Sequence, residues 1–407
     1  MRPVITGIGM ISALGPERDP IWEMLLAGRP RMGAISAFEA ASHGMENCVV
    51  SEIADQDLEA RLDQLRARSI TTKRGRFRSL ALAAAAEALD DAGLPGEDPE
   101  DRASAGIVMG TLSAGAAEVE RIAHATFSGG KPSVADNLGK RTSIVLQDIA
   151  RAFDLSGPAL GVDAACASGA VALTHACRLV ATGAPWCLAG GVEASIVASN
   201  VKLAHVLGIV PTSFIDEPHR SSRPFDLRRE GYVPAEGACF LVLEDEAHAR
   251  RRGARIYARI TGFAEQTYTG HPTQLCDTFA EALMHKALRR ADVRADQLGW
   301  INAHATSTRQ GDIAEATAIG RMGEAVLCSA PKSVTGHLLG ASGAFEAAFS
   351  ALSLHDQVIP PTVNLDDQDA LCPVRCVRER TDAAFDYVLS NSLGFGGMSC
   401  SIVFGRA

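Results

Sequence analysis

Strands and helices alternate twice along this chain, and that pattern limits the possible folds more than any other feature of the sequence. In the first half, the pattern predicts strands at 2–12, 107–112, 187–191 and 238–244 and helices at 19–28, 79–91, 143–153 and 170–183. In the second half, it predicts helices at 245–251, 277–291, 312–320 and 343–355 and strands at 256–263, 299–303, 326–330, 387–391 and 400–405. We therefore expect an α/β fold in which helices cover a mainly buried sheet, with the pattern restarting near residue 245.

The composition excludes several classes of protein. With 407 residues, 47% of them apolar and 21% charged, the chain is long enough to bury a large core. It lacks the apolar run of about 18 residues that predicts a membrane span, and its net charge of −9 argues against a nucleic-acid-binding surface. Ten cysteines are scattered, and the pair Cys372 and Cys376 is too small for a zinc site, so no metal is predicted. Without a secretion signal, we expect a cytoplasmic protein with reduced thiols.

The stretch 162–170 places Cys166 among small residues, directly before the predicted helix 170–183. At such a strand-to-helix turn, unpaired backbone N–H groups and the positive end of the helix dipole converge. This setting favours the thiolate, which is the nucleophilic form of cysteine. The alternative is a small buried cysteine at a tight turn, because free cysteine is among the most buried residue types.

Three polar stretches in the second half also follow predicted strands. They are 302–308 with His304, 332–340 with Lys332 and His337, and the glycine-rich 391–397. Since the carboxyl ends of strands form the ligand sites of open α/β sheets, these side chains and Cys166 could meet in one pocket. Each stretch alone would more often be a structural histidine, a surface lysine or a tight turn.

Together, and in this order, the four stretches resemble the β-ketoacyl-acyl carrier protein synthases of the elongating type, in the thiolase superfamily. The resemblance runs nearly end to end. It implies a thiolase-like, duplicated five-layer α-β-α-β-α fold, with the nucleophile in an N-terminal half (1–245) and the histidines and lysine in a C-terminal half (246–407). It also implies substrates carried on the phosphopantetheine of an acyl carrier protein, no cofactor of its own, and a homodimer or a heterodimer with a chain-length-factor-like subunit.

The resemblance also assigns catalytic roles to residues. Cys166 would accept the acyl group, and His304 and His337 would donate hydrogen bonds to the malonyl thioester oxygen as CO₂ leaves and the carbanion attacks. His304 is the better candidate for helping to expel CO₂. Lys332 would fix the histidine pair electrostatically, and Glu346 on the next helix would join that network.

Further roles concern the pocket and its entrance. The backbone N–H groups of Cys166 and Phe395 would form an oxyanion hole, and Phe395 would gate the acyl pocket on a loop made movable by Gly396 and Gly397. Thr306 and Thr308 would bind the pantetheine amides. Ser113 would replace a bulky aliphatic residue at the floor of the pocket, although that alignment depends on one short loop.

A basic cluster precedes the predicted helix 79–91, and it has two interpretations. It is either a solvated helix start or a docking surface for the acidic carrier protein, to which Lys131 or Arg141 could add. The cluster consists of Lys73, Arg74, Arg76 and Arg78.

The chain departs from the family pattern at Ala305, Leu393, Met398 and Ser399. These changes remove no catalytic group but alter the surroundings of the glycine-rich loop, which favours a specialised fatty acid, polyene or polyketide pathway. The alternatives are a housekeeping fatty-acid elongation synthase and the catalytic half of a heterodimer. A thiolase would need a second cysteine in the loop that carries Phe395, and Cys400 lies too far along. A non-catalytic partner subunit would lack Cys166.

Overall fold

The computed structural model describes residues 3–70, 75–94 and 98–407. The strands are β1 (Pro3–Ser12), β2 (Gly33–Ala34), β3 (Val49–Val50), β4 (Gly106–Gly110), β5 (Ala159–Val162), β6 (Trp186–Glu193), β7 (Gly237–Asp245), β8 (Ala258–Thr267), β9 (Leu298–Asn302), β10 (Leu327–Ser329), β11 (Val358–Ile359), β12 (Arg375–Cys376), β13 (Thr381–Asp382), β14 (Tyr387–Leu393) and β15 (Met398–Gly405). The α-helices are α1 (Arg18–Leu26), α2 (Asp55–Ala67), α3 (Arg76–Ala92), α4 (Pro99–Ser104), α5 (Ala116–Phe127), α6 (Val134–Gly139), α7 (Thr142–Phe153), α8 (Ser168–Ala181), α9 (Ala198–Val206), α10 (Glu246–Arg251), α11 (Asp277–Ala291), α12 (Arg309–Arg321), α13 (Lys332–Thr335) and α14 (Ser342–Asp356).

The two halves build sheets of the same topology. In the first half the strand order is β5-β4-β6-β7-β1, and in the second it is β10-β9-β14-β15-β8. The pairs β1–β7 and β7–β6 in the first half are antiparallel, and so are the corresponding pairs β8–β15 and β15–β14 in the second half. The remaining pairs of both halves are parallel. This shared strand order supports the duplication of the fold that the resemblance implies. The boundary at 245/246 remains a prediction.

The two sets of strands join where β1 pairs with β8, through Val4 with Arg259 and Ile5 with Ala258. With β12 added beside β10, they form an eleven-stranded sheet. Ile5 and Ile8 of β1 are fully buried in the largest apolar cluster, together with residues of both halves. Burial of this apolar surface is what holds the halves together.

Helices cover both sets of strands and also lie between them. Helix α3 packs on β1 and β7, α11 packs on β8 and β15, and the central helices α8 and α14 contact each other as well as the sheets. The result is five layers, α-β-α-β-α, as the sequence resemblance implies. The central helices approach closely at Gly169, where a Cβ atom would lie 2.7 Å from the backbone nitrogen of Ala344. Glycine is therefore required at this crossing.

The predicted elements agree with the structure within a few residues, and α11 has the predicted bounds. Helices α4, α5, α6, α9 and α13 were not predicted. Helix α9 exposes Leu203 and Val206 although both are large and apolar, so its sequence lacks the polar face that marks a surface helix. Within the described residues, no helix combines the length and the apolar character needed to cross a bilayer.

Candidate active site

Cys166 lies in the turn between β5 and α8, as predicted. Ala165 has a left-handed backbone (φ 49°), which turns the chain sharply and is sparsely populated for a residue with a side chain. Ser168 holds the turn closed, because its Oγ donates to the carbonyl of Ala165 (2.6 Å) and accepts from the N–H of Ala164 (2.8 Å). The sulfur is thus presented just before the first turn of α8.

His304 follows β9 and is held by a carboxylate from α12. Its backbone N–H donates to Oε1 of Glu315 (2.8 Å), and the N–H of Ala305 donates to Oε2 (2.7 Å). The side-chain amide of Asn391 on β14 also donates to Glu315 Oε1 (3.0 Å). Glu315 therefore fixes the main chain that carries the histidine.

Lys332 connects His304 to Glu346. Its Nζ lies 3.3 Å from Nδ1 of His304 and donates to Oε1 of Glu346 on α14. All three side chains are buried. Because an ammonium can only donate, Nδ1 of His304 must accept, and the ring hydrogen is placed on Nε2. The structure thus brings Lys332 and Glu346 together beside His304, and their roles in catalysis stay predictions.

His337 follows α13 and faces the thiol directly. Its Nε2 lies 3.2 Å from Sγ of Cys166, and its Nδ1 lies 2.9 Å from Oγ of Ser342. The rings of Tyr232 and His304 meet the His337 ring edge-on, with centroids 5.4 Å away in both cases. The backbone is also held, because its N–H donates to Val233 O (2.8 Å).

The electrostatics correct one expectation. Burial raises the pKa of the Cys166 thiol to about 11, although Lys332 and a backbone hydrogen bond from Phe395 oppose that rise. The expectation that the turn favours the thiolate is therefore wrong for the resting site, because removal from water outweighs the favourable groups. Burial also lowers the pKa of His304 and His337 well below the usual range for histidine. The resting pair is a neutral thiol and a neutral imidazole.

Three of the predicted residues therefore meet at one point. Sγ of Cys166 and one ring nitrogen each of His304 and His337 lie within 4.8 Å of one another. Such donors suit soft metal ions, but the ammonium of Lys332 beside His304 opposes a cation there. A nucleophile beside two imidazoles is instead suited to acyl transfer.

Comparison with known proteins decides the family. A family model described as "Beta-ketoacyl synthase, N-terminal domain" matches residues 1–249, and one described as "Beta-ketoacyl synthase, C-terminal domain" matches residues 257–366. The chain belongs to the β-ketoacyl synthase family. It is thus an enzyme of the family that forms carbon–carbon bonds in fatty acid and polyketide synthesis.

Relatives of this β-ketoacyl synthase come from both kinds of pathway. The chain is 35% identical to "3-oxoacyl-[acyl-carrier-protein] synthase 2" of Vibrio cholerae, over 100% of this chain and 99% of that protein. It is 36% identical to "Oxytetracycline polyketide putative beta-ketoacyl synthase 1" of Streptomyces rimosus, over 99% and 96%. The sequence identities to the Vibrio cholerae and the Streptomyces rimosus protein are thus nearly equal.

Solved structures share the whole fold. A β-ketoacyl synthase from Burkholderia phymatum superposes with a TM-score of 0.90 at 32% identity and covers 100% of this chain and 99% of its own. The ishigamide ketosynthase/chain length factor gives 0.90 at 27% identity with the same coverage. A type II polyketide ketosynthase, solved with its acyl-carrier protein and a bound hexaketide, gives 0.86 at 25% identity, again with 100% and 99% covered.

The glycine-rich loop of this β-ketoacyl synthase lies against the sulfur. The backbone of Phe395 hydrogen-bonds to Cys166, while 49% of the Phe395 residue surface is exposed. Gly396 and Gly397 have left-handed backbones (φ 78° and 83°). The main chain of the loop therefore contacts the nucleophile, while the Phe395 residue is exposed, and its role as a gate stays a prediction.

Thr306 and Thr308 lie just beyond His304 and are half-buried, with their hydroxyl oxygens 3.0 Å apart.

Ser113 lies half-buried in the loop after β4. Its backbone N–H donates to Oε1 of Glu193 (3.2 Å), while Oε2 of Glu193 accepts from the N–H groups of Leu112 and Gly340 (3.1 Å each). This buried carboxylate fastens the Ser113 loop to the segment that carries His337.

The predicted docking surface is corrected by the structure. Arg78 is buried and its guanidinium pairs with Asp148, so it cannot contact a carrier protein. Arg76 is partly buried, and its guanidinium is bound to Glu236 (2.6 Å) and Asp55 (2.6 Å). The other two residues of the cluster, Lys73 and Arg74, lie outside the described residues. Lys131 and Arg141 are exposed.

Sequence reasoning missed four residues that support the site, namely Glu193, Tyr232, Glu315 and Ser342. Three of them are polar groups that are fully or almost fully buried. An acidic residue in the helix after the His304 stretch was a usable signal for Glu315. The positions of the others depend on tertiary contacts that no local pattern reveals.

Proposed function

We propose that this enzyme catalyses decarboxylative condensation of an acyl group held on Cys166 with malonyl-acyl carrier protein, giving β-ketoacyl-acyl carrier protein. The observation that carries the proposal is the convergence of the Cys166 sulfur with His304 and His337 within 4.8 Å. A chain that only bound acyl groups would not need a nucleophile and two donors at one point.

In the first step, Cys166 takes the acyl group from the carrier protein. The thiol sulfur bonds to the thioester carbon, and the thiol proton passes to Nε2 of His337, which lies 3.2 Å from it. The bond to the pantetheine sulfur then breaks, and that sulfur leaves with the proton. The backbone N–H groups of Cys166 and Phe395 stabilise the oxyanion that forms between the two events.

In the second step, malonyl thioester loses CO₂. The electron pair of the broken carbon–carbon bond enters the thioester as an enolate, whose oxygen accepts hydrogen bonds from Nε2 of His304 and of His337. The enolate carbon bonds to the acyl carbon, the bond to Cys166 breaks, and the cysteine sulfur takes up one proton from water, which replaces the proton that left with pantetheine in the first step. Lys332 serves this step by keeping the His304 hydrogen on Nε2.

Partners follow from the same chemistry. Both substrates are carried on phosphopantetheine of an acyl carrier protein, with Thr306 and Thr308 positioned to bind its amides at the entrance. A second subunit, either another copy or a chain-length-factor-like chain, would cover the exposed edge strand β5, where Leu160 is 41% exposed. A cytoplasmic setting with reduced thiols completes the proposal.

We further propose that the enzyme serves a specialised pathway. The reason is that four residues alter the surroundings of the loop next to Cys166, namely Ala305, Leu393, Met398 and Ser399. A housekeeping elongation synthase is the second candidate, and the 35% identity to the Vibrio cholerae synthase favours it. A series of acyl chains distinguishes them, since a housekeeping enzyme accepts the ordinary saturated intermediates.

The test offers the purified chain acyl-carrier proteins of graded length together with malonyl-carrier protein. Intact mass should show acylation of Cys166, and products should be two carbons longer than the acyl donor. Cys166→Ala should lose condensation by roughly a thousandfold or more. Condensation that persists in this variant would refute the mechanism.

A further inference from the structure

The two histidines of the site have different partners at Nδ1. For His304 the partner is the ammonium of Lys332, which can only donate. For His337 it is the hydroxyl of Ser342 at 2.9 Å, and a hydroxyl can donate or accept. Ser342 is 1% exposed and begins α14, and this contact is its one side-chain hydrogen bond among the described residues. His337 is therefore not restricted to one tautomer, whereas His304 is.

We propose that Ser342 is a positioning residue that lets His337 alternate between its two tautomers during the reaction. The inference rests on the proposed function, whose two steps make opposite demands on Nε2 of His337. To take the thiol proton of Cys166, Nε2 must be an acceptor, so Nδ1 carries the hydrogen and Ser342 accepts. To stabilise the enolate oxygen, Nε2 must be a donor, so Ser342 donates to Nδ1.

The proton count is consistent with this exchange. In acyl transfer the thiol proton moves to Nε2 and then to the departing pantetheine sulfur, so the ring returns to its first form. Conversion to the second form releases one proton from Nδ1 to water and binds one from water at Nε2. The Ser342 hydroxyl reverses its direction by rotation, with no movement of the backbone.

Other titratable and charged groups around the pair could affect its pH response. Cys166, His304 and Tyr232 contact the His337 ring, and Lys332 lowers its pKa. Two further carboxylates, Glu193 and Glu346, act on Cys166. None of these groups is altered by a substitution at Ser342, so differences between variants report on the hydroxyl.

The first test measures the pH–rate profile of Cys166 alkylation by iodoacetamide, read by peptide mass mapping, in wild type, Ser342→Ala and Ser342→Thr. We expect Ser342→Ala to react about tenfold more slowly near pH 7, the effect of one lost hydrogen bond. Its rate should approach that of wild type at high pH, where hydroxide removes the thiol proton. Ser342→Thr, which keeps the hydroxyl, should restore the neutral-pH rate.

A matched control is Ser353→Ala, which removes another buried hydroxyl from α14. The Ser353 hydroxyl accepts from Trp300 and donates to the backbone carbonyl of Val358, and it does not contact His337. It should leave the alkylation profile unchanged. A structural role for Ser342 would lower the rate equally at all pH values and would not be reversed by threonine. Either that result, or identical profiles for wild type and Ser342→Ala, would overturn the proposal.

The second test separates the two steps with Ser342→Asp, whose carboxylate only accepts and so holds the hydrogen on Nδ1. Alkylation should stay within about threefold of wild type, while decarboxylation of malonyl-carrier protein should fall about tenfold or more. Equal losses in both assays would contradict tautomer exchange. If Ser342→Asp does not fold, the alkylation profiles of Ser342→Ala and Ser342→Thr decide whether the proposal stands. Because alkylation needs no carrier protein, it reports on Ser342 even if wild type fails to condense.

Discussion

Glu315 on α12 holds His304 by its main chain, because its Oε1 accepts the His304 backbone N–H at 2.8 Å. Its second oxygen holds the next N–H, that of Ala305, at 2.7 Å. The carboxylate is almost fully buried, and burial raises its pKa. The position of the histidine thus depends on a carboxylate whose two oxygens are both hydrogen-bonded within the protein.

Glu315→Ala should destabilise the fold and slow the reaction together. It removes the acceptor of two buried backbone N–H groups and of the Asn391 side-chain amide, and each buried donor left unpaired costs about 1–3 kcal/mol. Glu315→Gln keeps one acceptor oxygen and should lose less. Urea unfolding measures the stability, with the exposed Glu324→Ala as a control that should stay near wild type. A Glu315→Ala protein as stable as wild type would contradict this role.

Lys332 and Glu346 form a buried ion pair, and removing one member should destabilise the fold more than removing both. Lys332→Met should cost about 3–5 kcal/mol of unfolding free energy, because it leaves the Glu346 carboxylate buried without a partner. The double variant Lys332→Met/Glu346→Met should recover most of that stability. Malonyl decarboxylation should nevertheless stay low in the double variant, since nothing holds the His304 hydrogen on Nε2. Recovery of both properties would show that the pair serves stability alone.

Glu193 should make stability depend on pH. Burial raises its pKa from 4.5 to about 7, although three backbone N–H groups favour the charged form. A carboxyl whose pKa is raised by folding contributes stability below pH 4.5, and that contribution is lost as pH rises to about 7. The stability of wild type relative to Glu193→Gln should therefore fall by about 1 kcal/mol per pH unit across this window and level off above it. Urea unfolding at several pH values measures it, and a constant difference would contradict the assignment.

Ser113 should set the length of the acyl chain that fits, if its loop forms the floor of the pocket. Ser113→Ile should reduce elongation of longer chains selectively, because the larger side chain fills the space that they occupy. Product analysis with acyl-carrier proteins of graded length tests this. Alkylation of Cys166 by iodoacetamide should remain unchanged, and a uniform loss at all chain lengths would count against the alignment.

The exposed edge strand β5 should be part of a subunit interface. Leu160→Arg places a charge where a partner strand would pair, so a dimer seen for wild type by analytical ultracentrifugation should dissociate. Leu371→Arg changes a leucine that is also exposed (60%) but lies in the C-terminal half, and it should stay dimeric. A wild-type chain that is monomeric on its own would favour the heterodimer instead.

Local patterns predicted most of this fold. The helix at 277–291 has the predicted bounds, since its apolar positions and its ends are fixed by neighbouring residues. The stretches around Cys166, His304, Lys332 and His337 were found because strand ends collect ligand sites in α/β folds. Their convergence was confirmed, although residue-by-residue roles remain proposals.

The features that the sequence could not reveal are contacts between residues that only the folded chain brings together. Arg78 looked like a surface cation because its partner, Asp148, lies 70 positions away. The local helix dipole suggested a thiolate at Cys166, but the degree of burial that raises its pKa is set by the whole fold. Ser342 stands five positions after His337, yet only the turn between them brings its hydroxyl to the ring.

The crossing of the central helices at Gly169 and Ala344 has a consequence for synthesis of the chain. Cys166 emerges from the ribosome long before His304 and His337, and it can meet them only after the second half of the chain, including α14, has been made. Until then the nascent enzyme holds an idle thiol that has no proton acceptor. Catalytic competence should thus be among the last properties that the growing polypeptide acquires.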